Sequence, residues 1–223
     1  VSATEYLLFE GQKFSKSRRI GVWIDEALEM YPLDYWRYVL LYLRPEGRDV
    51  SFSWAMFKEL VNSHLNDTLG NFVYRVLSFT SRAFNSKVPR PRDDWTSEEL
   101  WRVVIEKFQS CTTNLDNFKI RDALQEVMSL AREGNKYLNE KAPWDALKRG
   151  HTEEASTSIY VSINAIKSLA VMLAPFMPIT ADEMWRGLGY KTSVHNNKWE
   201  EAVKPIEPGR ELLPPKPLFT KIK

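Results

Sequence analysis

After Trp54 the sequence stops alternating and never resumes. From Ala55 to Lys87, apolar residues return every three or four positions: Phe57, Leu60, Val61, Leu65, Leu69, Phe72, Val73, Val76, Thr80, Ala83 and Phe84. A stripe this long spans roughly nine helical turns and must be covered by other helices. The rest of the chain supplies them. A second helix is expected from Ser97 to about Leu115, with Ser97, Glu98 and Glu99 at its positive end. A third, long helix ends before Pro143, and a fourth is closed by Pro175 and Pro178. A short helix follows, with Thr180 read as its N-cap, Glu183 completing a capping box, and Gly187 and Gly189 marking its end.

The ends of the chain read differently. Residues 3–9, ATEYLLF, suit a strand, and Val50, Phe52 and Trp54 alternate with Ser51 and Ser53. Between them, Asp25 reads as an N-cap, and Pro32 interrupts a helix that resumes over Leu33–Leu43. From Lys204 five prolines impose an extended tail, whose Leu218, Phe219 and Ile222 need cover and are expected to fold back on the bundle. The expected fold is mainly α: a small β–α unit over 1–53, an antiparallel helix bundle over 54–203 and the tail over 204–223.

Composition sets limits. A formal net charge of +2 excludes nucleic-acid binding by whole-chain electrostatics, so any such site is local. A single cysteine, Cys111, excludes an internal disulfide and a multi-cysteine zinc site, and no metal site is expected. This fits a reducing, cytoplasmic setting. The apolar run around Leu169–Met177 is too short to span a bilayer. The chain opens VSATEY with no initiating Met and no signal-peptide pattern, so an excised piece is expected. His64 and Cys111 read as packing residues. Trp23, Trp36, Trp54, Trp95, Trp101, Trp185 and Trp199 read as core or boundary anchors.

Two features go beyond packing. Between Gly11 and Gly21 stand Lys13, Lys16, Arg18 and Arg19, with Ser15 and Ser17 threaded among them and no acid. Exposed lysines are commonly just solvated. Here small residues let backbone and hydroxyl donors approach an anion on which two lysines converge, as a loop closing over a polyphosphate would require. The other feature is a polar row on the long helix: Asn71, Arg75, Ser78 and Arg82, spaced four, three and four. No acid sits one turn from Arg75. An Asn and an Arg side by side can read the acceptor edge of a base. Trp144 follows a helix-breaking proline, where a flat ring reaches a bundle's rim and can stack on a splayed base.

The stretch KFSKS resembles the KMSKS signature of class I aminoacyl-tRNA synthetases, with Phe14 in place of Met. The surrounding YLLFEGQKFSKSRRIGVWIDEAL is similar to methionyl-tRNA synthetases of archaeal and eukaryotic type. So, in the same order, are VNSHLNDTLGNFVYRVLSF, AREGNKYLNEKAPW and LAPFMPITADEMW. Arg19 departs from the pattern, standing where many relatives have Gly. The resemblance implies that the β–α unit is a stem-contact element and that the loop binds ATP, taken as its Mg2+ complex. Lys13 and Lys16 would be the catalytic lysines: Lys16 neutralises the transition state of methionine activation, while Lys13, Ser15 and Ser17 shape the loop. It implies that Asn71 and Arg75 contact the first base of a CAU anticodon, a cytosine, on which Trp144 stacks. Spacing makes Arg82 a phosphate contact. The implied partners are tRNA(Met) and an upstream catalytic domain of the same chain, with no membrane, no zinc in this segment and a monomeric state. A synthetase of the same subgroup, for leucine, isoleucine, valine or cysteine, and a non-catalytic helical tRNA-binding module are the competing readings. No HIGH-type sequence is present, and His64, His151 and His195 are isolated. The 223-residue chain alone is therefore expected to show no methionine-dependent ATP–pyrophosphate exchange; robust exchange would overturn that expectation.

Overall fold

The computed structural model describes residues 3–223. Strands β1 (Leu7–Phe9) and β2 (Val50–Phe52) pair in parallel, Leu7 opposite Val50 and Phe9 opposite Phe52. A parallel pair needs a long crossover. Here it carries the basic loop, α1 (Ile24–Met30) and α2 (Leu33–Tyr42). Asp25 does not cap α1. Trp23 holds the N-cap position and Glu26 reaches back to its N–H at 3.5 Å, while Asp25 sits in the first turn. Trp54 is not part of the alternating strand either. The Ser53 hydroxyl accepts the Met56 N–H at 3.2 Å, which starts α3 (Trp54–Glu59) at that tryptophan.

The long helix is continuous but not uniform. After α3 the backbone widens into a π-helical segment, Leu60–Gly70, before α4 (Asn71–Ala83) restores the ordinary turn. The reason lies in the spacing. Val61, Leu65, Leu69 and Val73 are all buried and stand four apart. In an α-helix each four-residue step overshoots a full turn by about 40°. A wider turn reduces that drift and keeps the row facing the core. Thr68 Oγ donates to the Ser63 carbonyl five residues back, at 2.9 Å.

The bundle is completed by α5 (Glu99–Asp116), α6 (Ile120–Lys141), α7 (Pro143–Lys148), α8 (Thr152–Leu173) and α9 (Pro178–Gly187). α8 is the axis, buried from Ala155 to Leu173. It is long and apolar enough to cross a membrane, yet its apolar window lies wholly inside the bundle. Its Lys167 is fully buried and satisfied by the Glu201 carbonyl at 2.6 Å, the Glu201 carboxylate at 2.8 Å and the Lys204 carbonyl at 2.9 Å. Two expected caps are not realised. Ser97 lies in a 3-10 turn, and Glu98 holds the N-cap position of α5 without a side-chain hydrogen bond to the helix. Thr180 lies inside α9, which begins at Pro178, and its N–H donates to Asp34 of α2 at 2.6 Å. His64 is satisfied by the Tyr38 hydroxyl at 2.8 Å, and burial pushes the Cys111 thiol up to about 12. Trp23 departs from its expected role and is exposed.

Three contacts hold the elements that matter later. Gly134 of α6 faces the Phe72 ring so closely that a β-carbon there would lie 2.5 Å from it. Glu98 is nearly buried and takes Arg92 at 2.9 Å, Lys141 at 2.8 Å and the Tyr137 hydroxyl at 2.9 Å, which ties the end of α6 to the start of α5. The tail folds back: Phe219 packs on Gly70, Asn62 makes two hydrogen bonds to Ile222 at 2.8 and 2.9 Å, and Thr220 bonds the Tyr35 hydroxyl.

Gly134→Ala is expected to lower stability by about 1–3 kcal/mol, the usual size for overpacking a filled core. Urea unfolding measures it, and an unchanged midpoint contradicts the close approach. Burial alone would raise the Glu98 pKa. Hydrogen bonds from Lys141 and Tyr137, with the charges of Lys141 and Arg92, outweigh burial and hold it below the ordinary range. A depressed carboxyl adds stability above its unfolded pKa and loses it as pH falls through its folded one. Glu98→Gln is therefore expected to flatten the loss of stability below about pH 4. An acid limb identical to the parent's in pH-dependent urea titrations contradicts this.

Candidate nucleic-acid interface

On α4 the apolar stripe, Phe72, Val73 and Val76, faces the core, leaving Asn71 and Arg75 on the outer side one turn apart. α6 runs beside it at the distance Gly134 permits, and presents Asn135 and Asn139 at the same spacing. The two pairs meet as a ladder. Asn71 Nδ2 donates to Asn135 Oδ1 at 3.3 Å, and Arg75 Nη2 donates to Asn139 Oδ1 at 2.7 Å. Asn135 is itself anchored, its Nδ2 donating to the carbonyls of Thr68 at 2.8 Å and Ala131 at 3.2 Å. Arg75, which reads in the sequence as unpaired, thus has a partner, though a neutral amide rather than an acid. Burial pulls its pKa below the ordinary arginine range, yet a guanidinium stays charged at neutral pH.

The turn after α6 brings the indole to the same place. Ala142 adopts a left-handed conformation at φ 38°, Pro143 takes the first position of α7, and Trp144 follows. Its half-buried ring lies 5.4 Å from the Arg75 guanidinium carbon, a cation–π distance, and meets Phe79 edge-on at 6.3 Å. Asn71, Arg75 and Trp144 therefore share one surface. A recess of about 380 Å3 opens beside Asn71, walled by Tyr74 and by Pro217–Phe219 of the tail. Further along α4, Arg82 is exposed and donates to the Ser78 carbonyl at 3.3 Å.

The basic loop is a tight hairpin. Ser15 and Ile20 exchange backbone hydrogen bonds at 3.0 Å, and the Ser15 and Ser17 hydroxyls meet at 3.3 Å. Phe14 packs on Phe9 and covers Gly21, where a β-carbon would lie 2.6 Å from its ring. Arg19 sits in the left-handed region at φ 50°, the conformation that favours glycine. Lys13 lies over the Tyr6 ring at 5.5 Å. Among the described residues no carboxylate pairs with Lys13, Lys16, Arg18 or Arg19. A shallow recess beside the loop is lined by Ser15, Lys16 and Trp23.

A family model described as the anticodon binding domain of methionyl tRNA ligase matches residues 90–223. The chain belongs to the methionyl-tRNA ligase family. A second model, tRNA synthetases class I (M), matches residues 1–77. The methionine--tRNA ligases of Thermofilum pendens and Ignicoccus hospitalis are 45% and 47% identical over 223 residues, all of this chain. They are longer: the chain spans 39% of each. Among solved structures, Mycobacterium tuberculosis methionyl-tRNA synthetase bound by methionyl-adenylate superposes with a TM-score of 0.85 at 25% identity. That match covers 96% of this chain and 43% of the other. The apo form of the same enzyme gives 0.80 at 26% identity, over 88% of this chain and 40% of the other.

Asn135, Asn139 and Phe79 are the members of this surface that sequence reasoning missed. A signal for two of them exists. Asn135 and Asn139 repeat, on the helix that leads to Trp144, the four-residue step of Asn71 and Arg75.

Proposed function

We propose that this chain reads the CAU anticodon of tRNA(Met) and supplies the phosphate-binding loop of a methionine--tRNA ligase. The observation that carries the first half is the convergence of Asn71 and Arg75 from one helix with Trp144 from another, within a domain of the anticodon-binding family. The first anticodon base leaves its loop and stacks on the indole. Arg75 keeps one N–H on Asn139 and turns the others to the acceptors N3 and O2 of cytosine. Uracil would set its N3–H against those donors. One copy of the chain carries all three side chains, so the proposal takes it as a monomer.

The lysine hairpin supports the second half. Among the described residues no carboxylate pairs with Lys16, at the tip of a loop whose serines can hold phosphate oxygens. Lys16 balances the charge that develops as an amino-acid carboxylate displaces pyrophosphate from ATP, with Lys13, Ser15 and Ser17 keeping the loop in shape. The site is completed by a catalytic domain, to which the relatives' greater length corresponds. An apolar face supports that partner. Ile24 is 79% exposed, and Phe14, Leu28, Leu33 and Leu40 stand out beside it around a groove of about 360 Å3.

Trp144→Ala is expected to weaken binding of a CAU anticodon stem-loop by about ten- to a hundred-fold, from a stacking contribution of roughly 1–3 kcal/mol. Its circular dichroism should match the parent's, because the ring is a half-buried satellite of the core. Unchanged affinity, or loss of the helical signal, overturns the proposal.

A further inference from the structure

We infer that Asn135 is a positioning residue for cytosine specificity: it fixes which end of the Asn71 amide faces the base. The inference rests on the anticodon reading above and goes one step past it. An amide side chain presents a donor at one end and an acceptor at the other, and which end points outward is set by its hydrogen bonds. Asn135 cannot rotate its own amide freely. Its Nδ2 is held by two backbone carbonyls, Thr68 at 2.8 Å and Ala131 at 3.2 Å, so its Oδ1 must face α4. Facing it, Asn71 must offer Nδ2, as it does at 3.3 Å. The Asn71 Oδ1 is then the end left over, and among the described residues nothing donates to it.

That end matches one base edge. Cytosine carries an exocyclic amine, a donor, beside its acceptors N3 and O2. Arg75 one turn away supplies donors for the two acceptors, and Asn71 Oδ1 accepts from the amine. Uracil fails at both places, since O4 meets an acceptor and N3–H meets a donor. The backbone carbonyl of Thr68, at the end of the π-helical segment, is thus the first link in a relay: Thr68 orients Asn135, Asn135 orients Asn71, and Asn71 selects the amine. With Asn135 removed, the Asn71 amide is free to turn over and satisfy O4 of uracil.

The test uses the 223-residue chain with three anticodon stem-loops that differ only at the first anticodon base: cytosine, uracil, or 2-pyrimidinone, which is cytosine without the amine. The parent chain is expected to bind the cytosine loop roughly ten-fold more tightly than the 2-pyrimidinone loop, the scale of one unpaired acceptor. In Asn135→Ala that ratio is expected to fall towards one, and the preference for cytosine over uracil to shrink with it. Asn135→Asp keeps the shape but repels the Thr68 carbonyl, and should act in the same direction. A parent chain that binds cytosine and 2-pyrimidinone loops equally overturns the inference without any variant. So does a cytosine to 2-pyrimidinone ratio in Asn135→Ala equal to the parent's. Failure of the parent to bind the cytosine loop at all overturns the anticodon reading itself, which keeps the two failures apart.

Discussion

The approach of α6 to α4 at Gly134 is the constraint on which the rest depends. A side chain there would collide with the Phe72 ring, and only a hydrogen lets the two helices come this near. At that distance Asn71 reaches Asn135 and Arg75 reaches Asn139. Core packing and the polar surface above it are therefore one feature seen from two sides. The same helix, ended by a left-handed Ala142 and tied down through Lys141 and Glu98, delivers Trp144 onto the Arg75 guanidinium.

The chemistry of that surface is polar rather than strongly charged. The partners of Asn71 and Arg75 are amides, so no carboxylate competes for the guanidinium or repels an approaching phosphate backbone. A net charge of +2 would draw RNA only weakly to the chain as a whole. In the proposed reading, recognition comes from donors and acceptors held in fixed directions beside an aromatic ring. The basic hairpin is organised in the opposite way: among the described residues no carboxylate pairs with Lys16, Arg18 or Arg19 on its tight turn, or with Lys13 just before it. The ligands proposed for them differ in the same way, a base edge for the first and a polyphosphate for the second.

Much of this was legible in the residues. The apolar stripe of the long helix, the breaks at Pro32 and Pro143 and the return of Phe219 and Ile222 to the bundle follow from period, proline chemistry and the need to cover apolar groups. The helix break placed Trp144 at the rim, while its grouping with Arg75 came from the family resemblance. What stayed hidden depends on partners distant in sequence. Thr180 looks like an N-cap until Asp34, 146 residues away, takes the capping role. The π-helical stretch was present in the strict four-residue steps from Val61 to Val73, a drift that one uniform period conceals. Asn135 and Asn139 acquire meaning only once the register of α6 on α4 is known. Trp23 looked like an anchor, and instead stands exposed beside the basic loop.

The central claim is that a closely packed helix pair holds an amide, a guanidinium and an indole as one reader of a single base. The most direct measurement is a crystal structure of this chain with a CAU anticodon stem-loop. The account predicts the first anticodon base turned out of its loop, its ring against Trp144 and its Watson–Crick edge on Arg75 and Asn71. A base bound elsewhere, with the Arg75 guanidinium still covering the indole, would contradict it.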